Sequence, residues 1–266
     1  MSSQIISILL LTFVIHLIMT LAYSVRIVGT RTGRIVIAFS LFNILALVTR
    51  TASSIQAPLL AKYVEGQIGA SVTAAVSDFR WILLTTTLAT AVGIFLMPTF
   101  QRSFSKAVMA FNVYRSVPSL LLHGFSKTGI YHLRTSIAIP STENLGSWRS
   151  VKRFPIHIII LNTVVEAVLI VGAFAALYAG VLNPDLRLTA VSLAPIITGF
   201  ATVMLFVLID PYMSMLTDDV LHGKTSHLFF RKGVILLVGT RLAGTILAQL
   251  LLVPAAYLIV AAAEFI

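Results

Sequence analysis

Apolar residues run along this chain in blocks too long for a strand and too unbroken for one face of a water-soluble helix. A helix needs about 20 such residues, at about 1.5 Å each, to cross the hydrocarbon of a bilayer. Six blocks reach that length, at roughly 4–24, 35–60, 81–100, 155–180, 188–209 and 233–263. The second and the last are long and polar-interrupted and carry Pro58 and Pro254, which predicts tilt or a local break. No succession of short alternating strands points to a barrel. The pattern therefore predicts an all-α fold, a polytopic helical bundle forming a single transmembrane domain over 1–266.

The connection between the third and fourth blocks, 101–154, predicts a further element. From Arg102 to Phe125 it mixes basic residues and Ser with Phe104, Val108, Phe111, Tyr114 and Leu120. Two forms suit that mixture: an amphipathic segment lying among cytoplasmic headgroups, or a helical hairpin packed on the bundle.

Within the blocks, polar residues recur at helical spacing. Thr12, His16 and Thr20 share one face of the first helix, and Asn43, Arg50 and Ser54 one face of the second. Asn162 and Glu166 do so in the fourth, and Arg241, Thr245 and Gln249 in the sixth. A charge at the bilayer centre costs about 2.5–3.5 kcal/mol even on the most lenient scale. Arg50, Glu166 and Arg241 are therefore expected to point inward, at one another or at a watery cavity. Two arginines against one glutamate leave that interior positive. Interhelical hydrogen bonds and buried ion pairs are the competing, purely structural use of the same residues.

Composition agrees with the pattern: 58% of the residues are hydrophobic and 11% charged, and the mean hydropathy is +0.98. Cysteine is absent, which excludes disulfides and thiolate chemistry. The net charge of +10 would suggest nucleic acid in a soluble protein, but no nucleic-acid-binding motif accompanies it. The placement of the nineteen Lys and Arg carries the information. Only Lys62, Arg80 and Arg187 fall in the connections after the second and fourth blocks, and Arg50 and Arg241 fall within blocks. The rest crowd the alternate connections, which are therefore predicted to be cytoplasmic, with both termini extracytoplasmic. The first block lacks a preceding basic residue and is read as a span rather than a cleaved signal.

Guanidinium groups match phosphate oxygens in charge and geometry. Arg26, Arg31 and Arg34 at the cytoplasmic mouth, with Arg50 and Arg241 deeper and Asn43 beside Arg50, predict a site for an anionic, phosphorylated substrate. Glu166 and His16 are candidates for charge balance or coupling. Zincin, nucleophile-elbow and phosphate-loop motifs are missing. The alternative is a Mg-dependent polyprenyl-phosphate enzyme using Asp210, Asp218 and Asp219. An echo of Phe13-Val-Ile-His16 in Phe154-Pro-Ile-His157 would fit an inverted repeat of the kind many transporters use, but the similar pairs Thr49-Arg50 and Thr240-Arg241 do not keep its register.

The stretch from His16 through Tyr23-Ser-Val-Arg26-Ile-Val-Gly-Thr-Arg31-Thr-Gly-Arg34, then Ser40-Leu-Phe-Asn43 and Thr49-Arg50-Thr-Ala-Ser-Ser-Ile-Gln56-Ala-Pro58, resembles the Amj family. Its members are alternate lipid II flippases, equivalent in function to MurJ and unrelated to it in sequence. The resemblance implies a transporter of the bacterial plasma membrane rather than an enzyme, without a cofactor or metal. It would move undecaprenyl-pyrophosphate-linked disaccharide pentapeptide from the cytoplasmic to the outer leaflet for peptidoglycan synthesis. Lipid II and membrane lipids would be its partners. A homo-oligomer is compatible with this, since the sequence does not set the oligomeric state.

Overall fold

The computed structural model describes residues 3–66, 72–114, 134–140 and 154–266, with residues 116, 126 and 131 singly. The elements are helices α1 (Ser3–Thr32), α2 (Ile35–Gly66), α3 (Val72–Tyr114) and α4 (Ile156–Leu182). A 3₁₀ turn (Pro184–Leu186) then leads into α5 (Arg187–Met204), a π-helical turn (Leu205–Ile209), α6 (Asp210–Leu221) and α7 (His227–Phe265). No strand occurs among the described residues. Among the described residues, six helical runs are long and apolar enough to cross a membrane, Pro184–Leu221 counting as one. The fold is thus the helical membrane bundle that the apolar blocks predict.

The longest overruns past the apolar blocks are in α3 and in the fifth run. α3 has 43 residues, about 65 Å at 1.5 Å each, roughly twice the hydrocarbon thickness. Its last turns occupy the start of the segment read as a connection from residue 101, and most of the remainder of that segment lies outside the described residues. The fifth run likewise continues past residue 209 through the π turn to Leu221. Pro58 and Pro254 sit inside α2 and α7 without ending them. Each removes one backbone donor, which a long membrane helix tolerates because its other backbone bonds remain internal.

The turn between α1 and α2 is made by Gly33 at φ 66°, a left-handed conformation that costs glycine nothing. There the Arg34 amide donates to the Gly29 carbonyl at 3.0 Å. α7 begins on Ser226, whose Oγ accepts from the Phe229 amide at 3.2 Å, an N-cap satisfying one otherwise orphaned donor.

α4 is the central helix, and it packs most extensively on α7; α1 packs against α2 and α3. The main apolar cluster joins Phe79, Leu83, Phe174, Tyr178, Leu252 and Ile259. α2 lies at the periphery: only 17% of its apolar window is buried, against 56% for α4. A Cβ at Gly244 would lie 2.8 Å from the Cβ of Glu166 and 3.0 Å from the Thr163 carbonyl oxygen. This glycine lets α4 and α7 approach closely, as small residues do in membrane interfaces. Gly244→Val is expected to separate the helices at a cost of about 1–3 kcal/mol, read as a lowered unfolding midpoint in detergent. An unchanged midpoint would mean that the contact is not tight.

The echoed motifs do not support an inverted repeat. His16 lies deep within α1, whereas His157 is the second residue of α4 and exposed. The two motifs therefore do not occupy equivalent positions in their helices.

Candidate functional site

Polar side chains within the bundle gather in two places of opposite character. The first is a closed cluster between α1, α4 and α7. Arg241 Nη1 donates to Glu166 Oε2 at 2.6 Å, and Tyr23 Oη donates to Glu166 Oε1 at 2.6 Å. Arg241 Nη2 lies 3.4 Å from His16 Nδ1. Both side chains of the ion pair are only 3% exposed. Beside them Asn162 Nδ2 donates to Thr240 Oγ1 at 2.7 Å. Among the described residues, Asn162 Oδ1 and Arg241 Nε have no hydrogen-bond partner, a cost that the strong charge-assisted bonds must offset. The expected inward orientation of Glu166 and Arg241 is thus seen, but they neutralise each other and leave no free cation there.

α1 reaches this cluster with one face, since His16 and Tyr23 are seven residues apart, two turns along the helix. The rest of its expected stripe diverges. Thr12 accepts from Gln56 Nε2 of α2 at 2.5 Å, and Thr20 abuts Gly93 of α3. Gln249, on the stripe with Arg241, donates instead to the Arg80 carbonyl at 3.3 Å, beside an open, mostly apolar cleft of about 470 Å³ between α3 and α7.

The second place is the outer face of α2. Ala38, Leu41, Ala52, Gln56 and Leu60 are its buried residues, mostly against α1. Ser40, Asn43, Arg50, Thr51 and Ser54 all lie on the opposite face and are exposed. Arg50 does not point inward as expected. It stands at the midpoint of α2 with no ion pair or hydrogen bond among the described residues. The physical reason is that α2 packs through one face, mainly on α1, where Ala38, Leu41, Ala52 and Leu60 with Gln56 fill the contact, so its polar stripe is left outside.

At the end of the bundle predicted to be cytoplasmic, the three mouth arginines have separate environments. Arg26 Nη2 meets Asp210 Oδ1 at 2.9 Å, its Nη1 donates to Ser214 Oγ at 3.3 Å, and its guanidinium lies 5.6 Å from the Phe39 ring centroid. It therefore ties α1 to α6 and α2. Arg34, half-buried, also has interaction partners. Arg31 is exposed and lines a cleft of about 540 Å³ with residues of α3.

The enzyme alternative has no converging acids. Asp210 is engaged by Arg26, and Asp218 is exposed beside His222, 3.6 Å from its Nδ1. No group of three or more His, Cys, Asp or Glu able to hold a metal occurs among the described residues.

Sequence reasoning missed Tyr23, Gln56 and the Arg26–Asp210 tie. Tyr23 was within reach, being two turns from His16 on one helix face. The tie was not, because it joins residues 184 positions apart.

Among the described residues, six membrane-length apolar runs, three of which enclose a sequestered ion pair, define a polytopic integral membrane protein. The family model described as "Amj: Alternate to MurJ" matches residues 11–263, and the chain belongs to that family. It is 33% identical to the lipid II flippase Amj of Bacillus subtilis strain 168, over 97% of this chain and 96% of that protein. No solved structure matches it.

Proposed function

We propose that this chain is a lipid II flippase that carries the pyrophosphate-linked headgroup from the cytoplasmic to the outer leaflet along the outer face of α2. Relatedness to a lipid II flippase along nearly its whole length supports the activity. The observation that carries the route is Arg50, an exposed arginine at the midpoint of a membrane-length helix. Lipid alone is a poor neighbour for it, whereas a passing pyrophosphate supplies charge and bidentate acceptors. Asn43, Thr51 and Ser54 extend the polar face above and below it, and the polyprenyl tail stays in the hydrocarbon alongside.

A second copy is a worse neighbour for this face. A two-fold contact along α2 brings the same patch of each copy together, setting Arg50 against Arg50. The described acidic residues near the middle of the bundle offer no alternative, since Glu166 is buried and paired with Arg241. In this reading Arg31 contributes to headgroup capture, Arg26 ties the helix ends together, and the Glu166–Arg241 pair holds the bundle around which α2 is arrayed. The basic connections face the cytoplasm and both termini lie outside.

The test is replacement. Cells depleted of their MurJ-type flippase are given this chain, and outer-leaflet lipid II is scored by its accessibility to an added hydrolase. Restored growth with restored accessibility is the expected result. A stable, inserted protein that restores neither would overturn the assignment.

A further inference from the structure

The cleft beside Arg31 is a built feature of the fold. Its wall is one face of the α3 extension, Arg102, Ser105, Lys106 and Met109, spaced at one- and two-turn intervals. Arg31 closes it from α1 and Thr135 from the 134–140 segment. That segment is fastened to α3 twice. Thr99 Oγ1 donates to the Ala138 carbonyl at 3.0 Å, with the Ala138 amide the same distance from that hydroxyl, and Lys106 Nζ donates to Thr135 Oγ1 at 2.9 Å. Behind the wall, Phe104 and Val108 pack on Val25, Val28, Ala38 and Leu41, so the cationic face is held by apolar core.

Among the described residues, no carboxylate lines the cleft. Neither Arg31 nor Arg102 has an ion pair among the described residues, and Asp210 is engaged by Arg26. Ser105 Oγ is buried there without a hydrogen-bond partner among the described residues. Three cations and a spare hydroxyl around about 540 Å³ match a phosphate or pyrophosphate group, which offers several acceptor oxygens to converging donors.

We propose that this cleft is the loading site at which the phosphate-bearing group of the lipid is first held, with Arg102, Lys106 and Ser105 as binding residues together with Arg31. The proposal rests on the flippase reading for its ligand and adds to it a place, off the α2 track and at its cytoplasmic end. It also gives a use to the helical turns of α3 that exceed the membrane: they carry the cationic wall beyond the hydrocarbon, at the depth where headgroups lie.

The purified full chain, in nanodiscs of neutral phosphatidylcholine, is titrated with undecaprenyl pyrophosphate, undecaprenol and inorganic pyrophosphate. Wild-type protein is expected to bind the lipid pyrophosphate and not undecaprenol. Arg102→Gln/Lys106→Gln is expected to weaken binding at least about a hundredfold, and Ser105→Ala about tenfold, the low end of the range for losing hydrogen bonds to a charged group. Lys62→Gln/Arg80→Gln removes the same net charge at the other end and is expected to change affinity less than about threefold.

Competition by inorganic pyrophosphate with the same dependence on Arg102 and Lys106 identifies the phosphate group itself as the ligand. Binding confined to the lipid form places recognition on the membrane-anchored source. Equal losses in the two double variants, or none in Arg102→Gln/Lys106→Gln, would overturn the site. Replacement assays on the same variants separate the two readings. Weakened binding with full flipping refutes loading at the cleft and leaves the flippase assignment standing. Cleft-dependent binding by a wild-type chain that does not flip refutes the flippase assignment instead.

Discussion

Glu166→Ala is expected to be among the most destabilising single substitutions in the membrane-embedded part of this chain. It leaves the Arg241 guanidinium, 3% exposed, without its counterion, and strips Tyr23 Oη of its acceptor. Removing one partner of a buried pair costs about 3–5 kcal/mol. At roughly 2–4 °C per kcal/mol for a chain of this size, the unfolding midpoint in detergent should fall by about 10 °C. The double variant Glu166→Gln/Arg241→Gln carries no uncompensated charge and is expected to recover more than half of that loss. Its flipping should persist, because the pair lies inside the bundle and away from the α2 face. A wild-type midpoint in Glu166→Ala would show that the pair contributes nothing to stability. Loss of flipping in a well-folded double variant would draw Glu166 or Arg241 into the transport step.

Arg50→Ala is expected to do the reverse, sparing stability and abolishing transport. Arg50 has no partner to orphan among the described residues, and its removal relieves an insertion cost of about 2.5–3.5 kcal/mol. The unfolding midpoint should therefore hold or rise. Outer-leaflet lipid II, measured by hydrolase accessibility in depleted cells, should fall at least about tenfold, the weight of one good charge-assisted contact. Arg50→Lys keeps the charge and loses the planar fork, so partial transport is expected. Full activity in Arg50→Ala would remove the α2 face from the route.

The two variants differ because exposure differs, and hydropathy does not report it. Arg50 and Arg241 look alike in sequence, each following a threonine in a long apolar block. One lies on a peripheral helix facing away from its main neighbour, and the other between the two most closely packed helices. The same distinction governs the mouth arginines: Arg26 is paired and Arg31 is exposed, although five residues separate them on one helix.

Local chemistry alone determined the class of this protein. Unbroken apolar blocks have one stable solution in lipid, a helix that satisfies its own backbone, so the helical bundle and its six membrane-length runs were legible at once. So were the residues that bear charge within it, because every ionisable group inside such a block is conspicuous, and the family-like stretch around residues 13–60 was legible too. Tertiary structure decided which charges cancel and which remain available. Glu166 and Arg241 are 75 positions apart and Arg26 and Asp210 are 184 apart, and no helical period relates them. The overrun of α3 was hidden for a related reason: hydropathy marks where the hydrocarbon ends, whereas a helix ends only where its backbone finds a better partner.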